Sequence, residues 1–311
     1  MADLGLVRGV TRAMEWGVGP RVLRRVPDDW VDKPYTRLKL EPCNQVIGAV
    51  VRGVDLSVPL DNEARDEIRR ALLEWKVLFF REQHSLTPEQ QVAFARAFGE
   101  LEHHPFLREG DSPEIVRFEK GEDQASPGRV GTENGWHSDV SWRVEPALGS
   151  VLRAVEVPEN AGDTLWSDMG CAYDNLPDKL KDKIDGARAV HSFLPVFGWA
   201  MSDEQKAEML EKYPPVEHPV VRTHPETGRK TLYVNAFFVE RIVGMDDDES
   251  EYLLDRLCVQ AMHPEWHVRL HWEPGTVAFW DNRSTQHYAS SDYFPQRRVM
   301  ERVAIKGDRP Y

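Results

Sequence analysis

Residues 267–282 read HVRLHWEPGTVAFWDN and contain two short segments typical of β-strands on either side of a turn. Before the Glu-Pro-Gly turn at 273–275, apolar residues alternate with polar ones, as in a β-strand that buries one face. After the turn, residues 277–280 form a second short apolar run. We therefore predict two strands here, joined by the turn as a hairpin.

Short strands of the same kind recur from about residue 150 to the end of the chain. We predict them in the segments 150–157, 164–168, 218–235 and 297–307, and the Pro-Glu-Thr-Gly turn at 225–228 marks a second hairpin. Helical spacing interrupts the strands at roughly 203–212 and 247–262. Many short antiparallel strands with a few helices are typical of a jelly roll or a related barrel, so the predicted fold class is mainly β with flanking helices.

Two helices are predicted upstream of these strands, each with a recognisable start signal. Asp61 is placed to cap a helix whose apolar residues extend to Trp75, and residues 77–80 follow as a strand. Thr87 and Gln90 have the spacing of a capping box, with Gly99 as the terminator of the second helix.

The size of the chain is sufficient for one large domain. It has 311 residues, 41% of them hydrophobic, which allows a sizeable core without disulfides or a structural metal. Residues 1–37 lack a clear period, and we interpret them as an N-terminal arm that packs across the body or a neighbouring subunit. Nothing marks a boundary within residues 38–311, which are predicted to form a single domain. The oligomeric state stays open. A homo-oligomer is one alternative, because a basic arm on an acidic body favours contacts between subunits.

Charge and cysteine content narrow the class of partner and the compartment. The net charge of −13 argues against binding to nucleic acid or anionic membranes. No apolar run approaches the ~20 residues that a membrane helix needs. Cys43, Cys171 and Cys258 show neither disulfide-framework nor zinc-site spacing, so a reducing cytoplasm is the expected compartment.

The stretch WHSDV at 136–140 contains the candidate metal ligands. His137 and Asp139 are two residues apart, and in an extended strand such residues point to the same side with Cα atoms ~6.6 Å apart. His287, which follows a strand, is the best third ligand. Two His and one carboxylate leave adjacent positions open, as in non-haem iron(II) oxygenases that admit a chelating co-substrate and dioxygen. A motif as short as H-x-D also occurs by chance.

Two arginines follow His287 on the last predicted strand. Arg298 is placed to bind the far carboxylate of a dicarboxylate co-substrate through a bidentate, charge-assisted contact. Arg302 lies on the same face of the strand, ~13 Å farther along, so the two cations suggest two separate anions. Both arginines also fit surface positions beside acidic neighbours such as Glu301.

Several ordered motifs extend this pattern over most of the chain. They are RGVDLS at 52–57, ALLEWKVLFFREQ at 71–83, LTPEQQVAFARAFGELEHHP at 86–105, WHSDVSW at 136–142, AGDTLWSDM at 161–169, HPVVRTHPETGRKTLYVN at 218–235, and WDNRSTQHYA to RRVMER at 280–302. On these motifs the chain, from about Leu38 to Asp308, resembles the TauD/TfdA group of iron(II)/2-oxoglutarate-dependent dioxygenases, and more closely its taurine, alkylsulfonate and alkylsulfate branch. The resemblance implies a double-stranded β-helix fold and an oxidoreductase of the kind found in taurine catabolism.

The resemblance also implies roles for the residues of the metal site and the co-substrate site. His137, Asp139 and His287 match the iron ligands of the family. Thr164 and Arg298 match the residues that bind the far carboxylate of 2-oxoglutarate. A hydroxyl donor beside a guanidinium also makes physical sense, since together they complete the hydrogen bonds of a carboxylate.

Substrate-binding residues follow from the same resemblance. His104 and Arg302 match the positions that hold a substrate sulfonate, and Phe197 and Phe238 match aromatic walls of the pocket.

Two further residues depart from the taurine enzymes. Leu107 stands where those enzymes have Tyr, and Glu133 stands where they have Asn. A Leu in place of a phenol loses a hydrogen-bonding partner, and buried polar contacts discriminate strongly between substrates. Taurine itself is therefore in doubt as the substrate.

The expected activity is hydroxylation of a small organic anion, with a sulfonate or a sulfate ester preferred. The reaction uses iron(II), 2-oxoglutarate and dioxygen, and it releases succinate and CO2. Other substrates of the same chemistry stay open, namely an aryloxyalkanoate, a phosphonate or an amino-acid-derived carboxylate. Two other classes of protein also stay open, a non-catalytic metal-binding β-barrel and a zinc hydrolase with the same three ligands.

Overall fold

The computed structural model describes residues 20–103, 113–121 and 134–311. Within these ranges the strands are β1 (Lys39–Pro42), β2 (Ala49–Arg52), β3 (Val77–Phe80), β4 (Val116–Lys120), β5 (Gly149–Glu156), β6 (Thr164–Asp168), β7 (Arg188–His191), β8 (Val216–Pro219), β9 (Val221–Thr223), β10 (Lys230–Leu232), β11 (Val239–Ile242), β12 (His267–Leu270), β13 (Val277–Asp281), β14 (Thr285–Ala289) and β15 (Arg298–Ile305). The helices are α1 (Asn62–Trp75), α2 (Pro88–Arg96), α3 (Met169–Asp174), α4 (Asp178–Ile184), α5 (Leu194–Phe197), α6 (Asp203–Lys212) and α7 (Asp247–Cys258). Short 3-10 turns lie at Gly198–Ala200, Val259–Met262 and Pro264–Trp266.

The strands form one large sheet and three small ones. The large sheet has the order β1-β2-β3-β13-β5-β15-β4, and its neighbours are antiparallel except for the parallel pair β2 and β3. The small sheets have the orders β12-β6-β14, β11-β7-β8 and β10-β9. The strands predicted at 150–157, 164–168 and 297–307 correspond to β5, β6 and β15.

The main core lies between the large sheet and the sheet β12-β6-β14. Phe79 of β3 and Trp280 of β13 come from the large sheet, and the ring of Trp166 from β6 lies 5.5 Å and 5.6 Å from their rings. All three side chains are buried in one apolar cluster. Two facing antiparallel sheets around such a core form the predicted jelly roll.

A second core lies on the other face of the large sheet, under α1 and α2. Along β3, Val77 and Phe79 belong to the main core, whereas Leu78 and Phe80 belong to the cluster beneath the helices. Phe80 meets Phe94 of α2 edge to face, with ring centroids 5.6 Å apart. Because both faces are covered, β3 is apolar at every position, and each such side chain contributes ~1.5–3 kcal/mol by its burial.

The predicted capping signals are confirmed. The Asp61 carboxylate accepts a hydrogen bond from Ala64 N at 2.8 Å. The Thr87 hydroxyl accepts from Gln90 N at 3.3 Å, and the Gln90 side chain accepts from Thr87 N at 2.8 Å.

Gly99 has a different role from the predicted one. Helix α2 ends at Arg96, three residues before this glycine. A Cβ at Gly99 would lie 2.8 Å from Cγ2 of Ile305, so the glycine allows close packing against β15 rather than ending the helix.

The hairpin predicted for residues 267–282 is wrong, although both of its strands exist. β12 pairs with β6, whereas β13 pairs with β3 and β5. The turn therefore carries the chain from one sheet to the other, and Gly275, at φ +80°, donates its N–H to Ala154 O at 3.0 Å. The second predicted hairpin is confirmed, since β9 and β10 pair antiparallel across the turn at 225–228.

The described part of the N-terminal segment, residues 20–37, packs against the body. Asn175 exchanges hydrogen bonds with the backbone of Val22 at 2.9 Å and 2.8 Å, and the Arg25 guanidinium lies 4.4 Å from the Trp75 ring. Residues 1–19 lie outside the described residues, and the division into an arm at 1–37 and one domain at 38–311 stays a prediction. None of the described helices combines the length and the apolar character required to span a bilayer.

Asp281, at the end of β13, anchors the turn that leads into β14 and thus to His287. Its carboxylate accepts from Nε (2.9 Å) and Nη2 (2.7 Å) of Arg283 and from Nε2 of His224 (3.0 Å). Burial works to raise the pKa of Asp281, but Arg283 and His224 outweigh this effect and hold the pKa well below its ordinary value. The carboxylate is therefore ionised in the folded protein.

We expect Asp281→Asn to lower the free energy of unfolding at pH 7 by ~3 kcal/mol, because it removes one of the two carboxylates paired with the buried Arg283 guanidinium and leaves Glu226. The pKa of Asp281 is lower in the folded state than in the unfolded state. Its stabilising contribution is therefore present above the unfolded-state pKa of ~3.9 and declines as the pH falls below that value. Urea denaturation at pH 7 and at stepwise lower pH measures both effects.

The control for this prediction is Asp185→Asn, since the Asp185 side chain is 80% exposed. We expect that variant to change the free energy of unfolding by less than ~0.5 kcal/mol. A similar loss in both variants, or a loss at Asp281 that does not shrink in acid, would contradict the role assigned to Asp281.

Candidate active site

The three predicted metal ligands lie together. His137 and His287 form an isolated antiparallel bridge, with N–H to O=C hydrogen bonds of 3.1 Å and 2.8 Å. Asp139 follows two residues after His137, and one ligand atom from each of the three side chains lies within 4.8 Å of the others. Metal–ligand bonds to His and Asp are ~2.0–2.2 Å long, so one divalent ion fits between these atoms. The role as ligands stays a prediction.

The orientation of His137 is set by its surroundings. Its Nδ1 lies 2.8 Å from the carbonyl oxygen of Gly135, and because a carbonyl only accepts, Nδ1 carries the proton. Nε2 is then the nitrogen with a lone pair for a metal. The Phe237 ring stacks on the imidazole, with centroids 5.0 Å apart and an angle of 19° between the planes.

Phe237 is not among the residues predicted from the sequence. The predicted pocket residue is its neighbour Phe238, whose ring meets His137 edge-on at 6.1 Å. Two adjacent aromatic residues carry no local signal that tells which of them stacks on a given imidazole.

The two oxygens of the Asp139 carboxylate have different surroundings. Oδ2 accepts from Ser150 Oγ at 2.7 Å, whereas Oδ1 contacts Nη1 of Arg302 and lies 3.9 Å from Nε2 of His287. Burial works to raise the pKa of Asp139, but Arg302 and the imidazoles outweigh it, so this pKa lies below its ordinary value.

His287 is also in its metal-binding form at neutral pH. Burial, with the neighbouring His137 as the next cause, lowers the pKa of His287 to about 3. An ionised carboxylate and neutral imidazoles are the protonation states that bind a divalent metal. Two imidazoles and one carboxylate also form the donor set typical of non-haem iron(II), so the residues present fit the metal that the sequence predicts.

A cavity lies beside the three ligands, and both predicted co-substrate residues line it. Thr164 begins β6, and its Oγ1 accepts from Trp272 Nε1 at 2.9 Å, so its own hydroxyl proton is available for a ligand. Arg298 begins β15, and its guanidinium lies 5.6 Å from the Tyr293 ring. Gly162, at φ +76°, makes room for Arg298, because a Cβ there would approach Nε and Cδ to 3.1 Å.

Arg302 lines the same cavity as Arg298, as their shared strand face predicts. Its guanidinium lies 5.0 Å from the Phe118 ring and contacts Asp139. This contact between Arg302 and a candidate metal ligand is not predicted by the sequence. The predicted role of Arg302 as a substrate-anion binder is compatible with its place in the cavity wall and stays a prediction.

Of the two predicted aromatic walls, Phe238 meets His137 edge-on and Phe197 lies behind Phe238. Neither is part of the lining of the cavity that contains Arg298 and Arg302. The rings of Phe197 and Phe238 are 6.2 Å apart and belong to a small apolar cluster with Trp142 and Phe193. The other predicted substrate residues, His104, Leu107 and Glu133, lie outside the described residues.

Comparison with known proteins finds extensive similarity. Residues 36–304 match the family described as "Taurine catabolism dioxygenase TauD, TfdA family". A protein named alkylsulfatase from Acinetobacter baylyi is 37% identical over 287 residues, which cover 90% of this chain and 88% of that protein. A protein named alpha-ketoglutarate-dependent sulfate ester dioxygenase from Pseudomonas putida is 38% identical over 88% of this chain and 91% of that protein. The crystal structure of a taurine dioxygenase from Burkholderia xenovorans is similar with a TM-score of 0.75 and 40% identity, over 88% of this chain and 91% of that one.

We expect Gly135→Ala to weaken the binding of Mn(II), used here as a stable substitute for iron(II), about 10-fold. A Cβ at Gly135 would overlap the Phe237 ring and push it off His137. Phe237→Ala removes the same stacking contact without changing the backbone and should weaken binding to a similar degree. The electron paramagnetic resonance signal of free Mn(II) measures the Kd.

Gly121→Ala is the matched control, because a Cβ there meets atoms of Arg297 at ordinary distances of 3.6–3.7 Å. Its Mn(II) Kd should equal that of the wild type. An unchanged Kd in both Gly135→Ala and Phe237→Ala would show that the stacked ring does not position His137.

Proposed function

The chain belongs to the taurine catabolism dioxygenase TauD, TfdA family, and on this premise we propose that it is an iron(II)- and 2-oxoglutarate-dependent dioxygenase of sulfate esters or sulfonates. It is an enzyme of the oxidoreductase class that uses 2-oxoglutarate and dioxygen. The observation that carries the proposal is the convergence of His137, Asp139 and His287 beside a cavity lined by two arginines. A non-catalytic barrel and a zinc hydrolase are set aside, because the family is one of dioxygenases.

His137, Asp139 and His287 are the residues that would hold iron(II). When bound, the metal supplies the activation of dioxygen that is coupled to decarboxylation of 2-oxoglutarate to succinate and CO2. The chain contributes an ionised Asp139 carboxylate and a neutral His287 imidazole at neutral pH, which are the protonation states that bind a divalent metal. The backbone bridge between the two histidines holds their rings at a fixed separation.

Arg298 and Thr164 are proposed to hold the far carboxylate of 2-oxoglutarate. A guanidinium offers two parallel N–H donors to a carboxylate, and the Thr164 hydroxyl adds a third. Arg298 is only 8% exposed, and a cation in such a site binds an anion more strongly than it does in water. Binding of the far carboxylate by Arg298 and Thr164 would orient the keto group and the near carboxylate of 2-oxoglutarate toward the candidate metal ligands.

Arg302 and His104 are proposed to bind the sulfate or sulfonate group of the substrate. Arg302 lies on the same cavity face as Arg298, so the substrate anion and the co-substrate occupy different parts of one site. Phe197 and Phe238 are proposed to form an apolar wall that excludes water around the organic part of the substrate. Leu107 stands where the taurine enzymes that the chain resembles have Tyr, so we propose that it favours a substrate without an amino group over taurine.

The substrate class is tested by measuring succinate formation with iron(II), 2-oxoglutarate and dioxygen over a panel of anions. The panel contains alkyl sulfate esters, alkanesulfonates, taurine, aryloxyalkanoates and phosphonates. We expect coupled turnover with sulfate esters or sulfonates, with release of sulfate or sulfite and an aldehyde, and weaker turnover of taurine. If succinate formation is coupled only to carboxylates or phosphonates, the proposed sulfate ester or sulfonate substrate is wrong, and the substrate belongs to one of those other classes.

The co-substrate site is tested by Arg298→Met, which we expect to raise the KM for 2-oxoglutarate roughly 100-fold. Hydrogen bonds to charged groups contribute ~1.5–3 kcal/mol, and 2.7 kcal/mol corresponds to about two powers of ten. Arg297→Met is the matched control, because this neighbouring arginine pairs with Glu119 and Glu156 on the surface. Equal KM values in the two variants would exclude Arg298 from binding 2-oxoglutarate.

A further inference from the structure

A chain of hydrogen bonds ends on the Asp139 oxygen that does not face His287. Trp280 Nε1 donates to Asn282 Oδ1 at 2.9 Å, and Asn282 Nδ2 donates to Ser150 Oγ at 3.3 Å. Ser150 Oγ then donates to Asp139 Oδ2 at 2.7 Å. None of these four residues is more than 4% exposed, so water does not compete for their polar atoms.

The direction of every step follows from the chemistry of the groups. An indole N–H only donates, so the Asn282 atom that faces Trp280 is the carbonyl oxygen, and the same oxygen receives the Asp139 backbone N–H at 3.3 Å. The amide nitrogen of Asn282 therefore points to Ser150. Since Ser150 Oγ accepts from that amide, its single proton is directed to the carboxylate, which is ionised and accepts only.

The two carboxylate oxygens of Asp139 therefore have different partners. Oδ2 is held by Ser150, while Oδ1 lies 3.9 Å from His287 Nε2. Oδ1 also accepts from Arg302, which still leaves it a second lone pair. We propose that Ser150 and Asn282 are positioning residues that make Asp139 a metal ligand through one oxygen only.

This inference rests on the proposed function and has a consequence for it. A carboxylate that binds through both oxygens takes two positions on the metal. In a six-coordinate site with two imidazoles, only two positions would then remain, and a chelating co-substrate would fill both. Binding through one oxygen leaves the additional position that dioxygen needs.

The test replaces Ser150 by Ala and measures how Mn(II) is bound by the purified protein. Without its hydrogen bond, Oδ2 is free to turn to the metal and displace a water. We expect pulsed electron paramagnetic resonance in D2O to find one fewer metal-bound water in Ser150→Ala than in the wild type. We also expect the Kd of Mn(II) to rise about 10-fold, because Asp139 loses the hydrogen bond that orients it.

Ser250→Ala is the matched control, because Ser250 is also a buried serine but its Oγ accepts from Ile242 N at 2.8 Å and does not contact Asp139. It loses the same hydroxyl group and should keep the number of metal-bound waters of the wild type. Ser150→Cys fills the space of the serine with a weak donor, so it reports on the hydrogen bond even if Ser150→Ala fails to fold. It should give a water count between those of the wild type and Ser150→Ala.

The outcomes separate the inference from the proposed function. If the wild type binds Mn(II) and the Ser150 variants show the same water count and Mn(II) Kd as Ser250→Ala, the positioning role is overturned and the metal site stands. If the wild type itself does not bind Mn(II), the proposed metal site and function are overturned.

Discussion

The two backbone hydrogen bonds between His137 and His287 form the constraint on which the site depends. They join the loop after residue 134 to β14, and they hold the two imidazole centroids 4.2 Å apart. Backbone groups make these bonds, so the side chains remain available for a metal. Asp139 follows from the loop, and Ser138 ties the same loop to β14 through Thr285 O. The cavity and its arginines are arranged around this junction.

The site also requires that the carboxylate of Asp139 be buried. Removing a charged group from water costs several kcal/mol, which only close partners offset. Arg302 and Ser150 supply those partners to Asp139, and they also lower its affinity for protons. The contacts that offset the cost of burying the Asp139 carboxylate therefore also keep it ionised, which is the state that binds a metal. At the turn before His287, the buried Asp281 carboxylate is stabilised in the same way, by Arg283 and His224.

The large sheet has a core on each face, so its strand β15 contributes side chains both to the candidate site and to the packing beneath the helices. On β15, Arg298, Met300 and Arg302 face the cavity, whereas Val303 and Ile305 pack beneath the helices. The strand is held between β5 and β4, so the spacing of the two arginines is fixed by the backbone rather than by flexible loops. A site whose charged groups stand on a paired strand keeps its geometry when a ligand binds.

The sequence alone predicted the four longest of the described helices, about half of the described strands, and the family. It did not predict that β12 and β13 belong to different sheets, that Asp139 reaches His137 through a turn rather than a strand, that Phe237 stacks on His137, or that Asn282 supports Asp139. The reason is that alternation of apolar and polar residues specifies which face of a strand is buried but carries no information about its neighbour. Asn282 and Asp139 meet across 143 positions of the chain, and such contacts exist only once the two sheets have closed around their core.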